Sequence, residues 1–395
     1  METHFAGRIG RVHRSFVTEI LGVTENSAVI SFAGGIPNPA YFPVREVAQA
    51  AARVLADDGA GALQYTTTQG YTPLREYIAE RYRSKYGVDA DPADIVITNG
   101  SQQAFDLIGK VFIEAGDRVV MERPAYHGAL QAFSLFDAEF AHVPILEEGP
   151  DLDALSDALR ATPTKLFYGV PNFQNPSGLT YSLRKREQVA DLLAGNDVLM
   201  VEDDPYGEIR FEGSDLPPVK KFLPGNTILL GTFSKTVAPG FRLGWAWARH
   251  DIIERMVLAK QAADFHSDNV AQRIIYRYLA DNDLDEHIAL LREVYRRQCD
   301  WMEAAIERHI PRGTRYTRPQ GGMFIYMTLP DGLSSMDLFE VAVRREVAFV
   351  PGRAFHAGGA GGDDSLRLSF ATCDEAQMDE GMRRLGAAMR DLMKS

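Results

Sequence analysis

The feature that most constrains this chain is an alternation that runs from about residue 95 to 250. "DIVITNG" reads as a strand and leads into "SQQAFDLIGKVFIEAG", whose apolar spacing is helical and whose end is expected at Gly116. "DRVVME", a helix-like stretch after Tyr126, "KLFYGV", the helix "LRKREQVADLLAG", "DVLMVEDD", "NTILLG" and "LGWAWA" continue the pattern. Strands separated by helices cannot pair as tight hairpins. They build a mostly parallel sheet with helices packed on it, so the expected fold class is α/β. Ligands in such sheets sit beyond the carboxyl ends of the strands. Polar residues collect there: Asn99 to Gln102, Asn172 to Asn175, Asp203 to Tyr206, and Ser234 with Lys235.

A length of 395 residues exceeds one compact core and predicts more than one unit. The alternation stops after about residue 265. A long polar helix, "DEHIALLREVYRRQCDWMEAAIERH", follows, then "GGMFIYMTLP", a helix around "SMDLFEVAVRRE", "VAFVPG", "SLRLSF" and a terminal helix. This reads as a smaller α+β unit. The expected boundaries are 1–40 for an N-terminal arm joining that unit, 41–285 for the large α/β domain and 286–395 for the small domain. "HAGGAGGDD" (356–364) reads as a mobile surface loop. Met302, Met323 and Met327 sit in apolar patterns and are expected in the core.

Charge arithmetic, 42 − 54 = −12, argues against a nucleic-acid surface. Two cysteines, Cys299 and Cys373, far apart and in no CxxC, argue against a disulfide scaffold or a cysteine-built metal site. The first residues lack the apolar stretch of a signal peptide, and Arg8, Arg11 and Arg14 fit the polar face of a short helix. No apolar run reaches about 18 residues, so no membrane span is expected. A cytoplasmic protein, with neither membrane nor nucleic acid as partner, is the expectation. No GxGxxG, P-loop, HExxH, GxSxG or metal-ligand cluster is present; "SLRK" (182–185) opens a helix and reads as a cap.

The chemistry concentrates in four segments. "TNGSQQA" follows a strand and opens a helix, whose free N–H groups suit an anion. "VPNFQNPSG" is a stiff loop in which Asn175 precedes proline and is held out of the helical region. "VEDDPYGE" puts Asp203 where a buried strand stops, which is costly without a partner; Asp204 reads as a solvated loop acid. "GTFSKTVAPGFRLGW" places Lys235 between two apolar strands, with Ser234 beside it and Arg242 beyond. A lysine there is either paired or chemically used. Taken singly, the first two segments read as ordinary turns. Together the four supply a phosphate cradle, a lysine for an aldehyde, an acid for a ring nitrogen and donors for a ring hydroxyl. Those are the needs of pyridoxal 5′-phosphate.

With "ISFAGGIPNPAYFP", "QYTTTQGYTPLREYIAERY", "RPQGGMF" and "SLRLSFAT", these segments cover residues 30 to 370. The chain resembles the fold-type I pyridoxal-phosphate aminotransferases of class I/II, and within them the 2-aminoadipate/kynurenine group. The resemblance implies that Lys235 forms a Schiff base with the cofactor and that Asp203 lies under its ring nitrogen. Asn175 and Tyr206 would donate to its ring oxygen. Ser101, Gln102, Ser234 and Arg242 would hold its phosphate, and Tyr126 would stack on the ring. Tyr65 would reach the phosphate of a neighbouring subunit, implying a homodimer with shared sites. Arg367 would clamp the substrate carboxylate, near the gating segment at Gly35. The resemblance also implies a cis Asn175–Pro176 bond, and no metal.

One position departs. Thr18 stands where that group carries an arginine that reads the outer end of the substrate, and a threonine cannot pair with a carboxylate as a guanidinium does. Arg14 is a weaker substitute, and Phe16, Val17 and Ile20 suit an apolar wall or plain packing. Three readings remain open. One is a broad aminotransferase for aromatic, aliphatic or aminoadipate-like amino acids, with a 2-oxo acid such as 2-oxoglutarate as acceptor. Another is an enzyme for a non-standard, even cationic, amino acid. The last is different cofactor chemistry on the same fold, a lyase, decarboxylase or oxidase. A cofactor-binding transcription regulator ranks far below these, since the resemblance starts near residue 30.

Overall fold

The computed structural model describes residues 5–11 and 28–394. The first strand, β1 (Ile30–Ser31), is short. Eight more strands form one sheet: β2 (Ile95–Thr98), β3 (Arg118–Arg123), β4 (Glu139–Leu146), β5 (Gly149–Pro150), β6 (Leu166–Gly169), β7 (Leu199–Asp203), β8 (Thr227–Thr232) and β9 (Gly244–Trp247), in the order β2-β9-β8-β7-β6-β3-β4-β5. The neighbours from β8 to β4 run parallel, while β9 is antiparallel to both its neighbours and β5 to β4. The expected mostly parallel sheet is therefore present.

Alternation along the strands gives the sheet two apolar faces. Val119, Met121, Leu166, Tyr168 and Val201 pack against the helices Gly100–Phe112, His127–Ser134 and His250–Ala263. Val120, Phe167 and Met200 pack against Leu152–Ala161 and Leu183–Gly195. Ser182 caps the last of these, its hydroxyl accepting from the Lys185 N–H, as expected of "SLRK". The helix expected to reach Gly116 stops at Phe112. Ile113 is already extended and buried, and Gly116, with φ of +86°, instead shapes the turn into β3.

The C-terminal strands are β10 (Arg315–Tyr316), β11 (Phe324–Thr328), β12 (Val347–Ala348), β13 (Val350–Pro351) and β14 (Ser365–Ser369). Four of them make an antiparallel sheet, β10-β11-β14-β13. It packs on the helices Leu284–His309 and Glu375–Leu392 around a core that holds Met302, Met323 and Met327, all fully buried as expected. β12 pairs instead with β1, in parallel, which fastens Ile30 and Ser31 to Val347 and Ala348. Phe32 follows β1, is fully buried, and fills the space beside Gly381 where a Cβ would come within 2.5 Å of its ring.

The "HAGGAGGDD" segment includes a short 3-10 turn, Ala357–Gly359. Its far end is held by backbone bonds, Leu329 N–H to the Asp364 carbonyl (2.7 Å) and Ser335 N–H to the Asp363 carbonyl (2.6 Å). No helix among the described residues is long and apolar enough to cross a membrane.

Phe32 joins the first segment to the last helix, so Phe32→Ala is expected to cost about 3–5 kcal/mol of stability. Urea unfolding checks this; an unchanged midpoint would contradict the packing described.

Candidate active site

The strands β2, β3, β6, β7 and β8 end on one edge of the sheet, and the segments singled out by the sequence leave from those ends. Register sets which side chains share a face. Tyr168 lies opposite Val201, so Asp203, two residues further on, points to the same side as Tyr168. The Tyr168 hydroxyl donates to Asp203 Oδ2 at 2.9 Å, while Asp203 Oδ1 is buried with no partner among the described residues. Burial, eased by Tyr168 and aggravated by Asp204, raises the Asp203 carboxyl to about 7.

Lys235 leaves the end of β8. Its ammonium donates to the Gly35 carbonyl at 2.9 Å and lies 5.9 Å from the centre of the Tyr206 ring. Burial lowers its pKa to about 8, helped by the guanidiniums of Arg367 and Arg242. Tyr206 is buried, its hydroxyl pushed up by burial, and it shares a side-chain hydrogen bond with Asn175.

Arg367, on β14, is almost wholly buried. Its Nη1 donates to Asn175 Oδ1 at 2.9 Å and its Nη2 to the Ala33 carbonyl at 2.5 Å, while Nε has no partner among the described residues. Phe324 and Phe355 flank the guanidinium at 4.4 and 5.2 Å from their ring centres. Gly35 lies against the same group; a Cβ there would come within 3.3 Å of Phe324 and 3.8 Å of Arg367.

The turn between β2 and its helix is shaped by Gly100, whose φ is +69°. A Cβ on Gly100 would stand 2.5 Å from Arg242 Nη2, so only glycine lets the guanidinium lie over the turn. Ser101 Oγ is buried and unpartnered among the described residues, and the Gln102 amide donates to the Gly128 carbonyl at 3.2 Å. Ser234 is buried, its hydroxyl accepting from Thr232 Oγ1 at 2.9 Å. Tyr126 sits over Gly128, where a Cβ would meet its ring at 2.7 Å; burial raises its hydroxyl to about 12.

Lys235, Asp203, Asn175, Tyr206, Tyr126, Ser101, Ser234, Arg242, Gly35 and Arg367 thus converge on one edge, with Gln102 at its rim. Tyr65 does not join them. It is 78% exposed, and its ring rests on Phe265 and His266. Thr18, Arg14, Phe16, Val17 and Ile20 lie outside the described residues. Asp204 departs from expectation. It is half-buried and holds its own loop, accepting from Asn172 Nδ2 and the Gly207 N–H, each at 2.9 Å. The Asn175–Pro176 bond is cis, and so is Arg123–Pro124, which the sequence reading missed.

The model of the class I and II aminotransferases matches residues 29–385. The chain belongs to that family.

This aminotransferase is 42% identical to the 2-aminoadipate transaminase of Thermus thermophilus over 98% of its own length and 97% of that relative's. It is 40% identical to aromatic-amino-acid aminotransferase 1 of Thermococcus litoralis, covering 100% of this chain and 95% of that one. Its fold matches the crystal structure of the Thermus thermophilus α-aminoadipate aminotransferase LysN in complex with N-(5′-phosphopyridoxyl)-L-leucine. The TM-score is 0.92 at 42% identity, over 99% and 98% of the two chains. The aminotransferase is a pyridoxal-phosphate enzyme of fold type I and catalyses transamination.

The sequence reading also missed Tyr168 and Glu122. The signal for Tyr168 was its place in a strand adjacent to β7, in phase with Asp203. Glu122, one residue before the end of β3, is fully buried. It accepts from Tyr181 Oη, from Gln174 Nε2 (3.0 Å) and from the Val170 N–H (3.2 Å), and so fixes the loop that presents Asn175. Burial raises it, and likewise Glu202, to about 7.

These buried acids set a sign for stability against pH. Their folded pKa lies above the unfolded value, so between about pH 4 and 7 the folded state holds more protons than the unfolded state. These three acids therefore contribute stability that is lost as pH rises through that window, while His127, lowered by burial to about 3, contributes the opposite slope. Relative to wild type, Asp203→Asn should remove about one proton of the falling contribution. Unfolding midpoints of the cofactor-free wild type and Asp203→Asn at several pH values check this; parallel pH profiles for the two would refute it.

Proposed function

We propose that the enzyme moves the α-amino group of aromatic, aliphatic or 2-aminoadipate-like amino acids to a 2-oxo acid, 2-oxoglutarate first among them, by a ping-pong scheme. The substrates named for the Thermus and Thermococcus relatives support the breadth of this range. The observation that carries the assignment of the site is a set of unanswered polar groups. Lys235 has no carboxylate partner among the described residues, and Asp203 Oδ1 and Ser101 Oγ are buried without partners. Buried polar groups are rarely left so, and each of these suits one feature of pyridoxal phosphate.

Asp203 would hold the proton of the ring nitrogen, Asn175 and Tyr206 would face the ring oxygen, and Tyr126 would cover the ring. Ser101, Gln102, Ser234 and Arg242 would hold the phosphate, joined by Tyr65 from a second copy of the chain. Tyr65, Leu63 and Phe265 are 78%, 74% and 52% exposed, an apolar edge that a second copy would cover. Within each copy we assign 41–285 to the large domain and 286–395, with 1–40, to the small one.

Bound there, the cofactor supplies an aldehyde that condenses with amines and a ring that withdraws the electron pair left at the α-carbon. Arg367 binds the substrate carboxylate with its planar fork and so sets which α-bond faces the ring. Phe324 and Phe355 keep that guanidinium flat and dry. Lys235 Nζ, its proton affinity brought near neutrality, takes the α-proton and later gives it back. Gly35, whose carbonyl receives Lys235, closes the substrate side. Thr18 stands as a candidate for the outer end of the substrate.

Lys235→Ala is expected to lower transamination by more than about a thousandfold while leaving the unfolding midpoint near wild type. Arg367→Lys is expected to lower kcat/KM for amino acid and 2-oxo acid alike by about 10- to 100-fold, the loss of a charge-assisted pair. Product analysis with an amino-acid panel and 2-oxoglutarate tests the reaction itself. Ammonia or carbon dioxide released without glutamate would overturn the reading.

A further inference from the structure

Lys260 and Asp264 lie outside the residues assigned above. They stand four apart near the end of the helix His250–Ala263, a spacing usual for surface ion pairs. Yet the Lys260 side chain is fully buried. Its ammonium donates to Asp264 Oδ1 (2.9 Å) and Oδ2 (2.7 Å), to Gln103 Oε1 (2.8 Å) and to Ser267 Oγ (3.0 Å). Asp264 Oδ2 also accepts from Asn99 Nδ2 and from Gln103 Nε2, each at 2.7 Å. Gln103 Oε1 in turn accepts the Asn99 backbone N–H at 2.8 Å. Ser267 Oγ completes the set by donating to the Ile97 carbonyl in β2, at 3.4 Å.

Asn99 and Gln103 bracket the turn Gly100–Gln102. A single carboxylate oxygen therefore fastens both sides of the turn assigned to the phosphate. Fold stability does not account for such a pair, because a buried ion pair is often replaceable by apolar side chains at no loss. Shape does account for it: Gly100 must keep its left-handed φ and Ser101 its buried hydroxyl for the turn to meet an anion.

We propose that Lys260 and Asp264 are positioning residues for the cofactor's phosphate, holding the Asn99–Gln103 turn in the form that receives it. The inference rests on the assignment of that turn under the proposed function.

The test titrates the full-length chain, stripped of cofactor, with pyridoxal phosphate and with pyridoxal, which lacks the phosphate. Wild type is expected to prefer the phosphorylated form by about a hundredfold or more. Asp264→Ala is expected to weaken pyridoxal phosphate about tenfold and to leave pyridoxal within about twofold. The double variant Lys260→Met/Asp264→Leu guards against a folding defect. It should melt close to wild type and show the same selective loss, whereas a merely structural pair would weaken both ligands together. Equal losses for the two ligands, or no loss of pyridoxal phosphate in either variant, would overturn the proposal. A wild type without preference for the phosphorylated form would overturn the phosphate assignment itself, and this inference with it.

Discussion

The structure depends on a half-buried ammonium, Lys235, for which the described residues offer no carboxylate. Burial lowers the pKa of three lysines among the described residues, and their surroundings separate them. Lys260 has a carboxylate. Lys220 has the Pro224 and Thr227 carbonyls at 3.1 and 2.9 Å and the Trp247 ring at 4.7 Å, a full set of partners. Lys235 has one carbonyl and two guanidiniums that repel it. Burial brings both Lys220 and Lys235 to about 8, yet only Lys235 is short of partners. An electron-poor aldehyde carried by an anion satisfies that shortage.

The sheet makes this arrangement possible. Strand alternation divides the acids at its edge between two sides. Asp203 falls on the side of Tyr168 and keeps one oxygen free. Glu202, its chain neighbour, falls on the other and is spent on the Val219 and Lys220 N–H groups at 2.7 and 2.8 Å. Adjacent carboxylates thus do unlike jobs because the pleat points them apart. The antiparallel sheet of the C-terminal residues then brings Arg367 to Asn175, 192 residues away in the chain.

Much of this was legible in the sequence. Alternating periodicity announces a parallel sheet, and the residues at its strand ends are visible because few other polar groups interrupt apolar runs. What stayed hidden depends on contacts that spacing does not encode. Lys260 and Asp264 have the spacing of an ordinary helical surface pair, and only Gln103, 157 residues from Lys260, shows them to be otherwise used. Asp204 reads as a loop acid because its partner Asn172 belongs to another strand end. The helix after β2 stops at Phe112, short of Gly116, where Ile113 turns extended and is buried, a change that helical spacing does not encode.

One chemical measurement bears directly on the claim that Lys235 is the unsatisfied amine. The native protein is loaded with pyridoxal phosphate, reduced with borohydride, digested and read by mass. The phosphopyridoxyl group should appear on the peptide carrying Lys235, in one copy per chain. A label on the peptide of Lys220 or Lys260, or no stoichiometric label, would contradict the account.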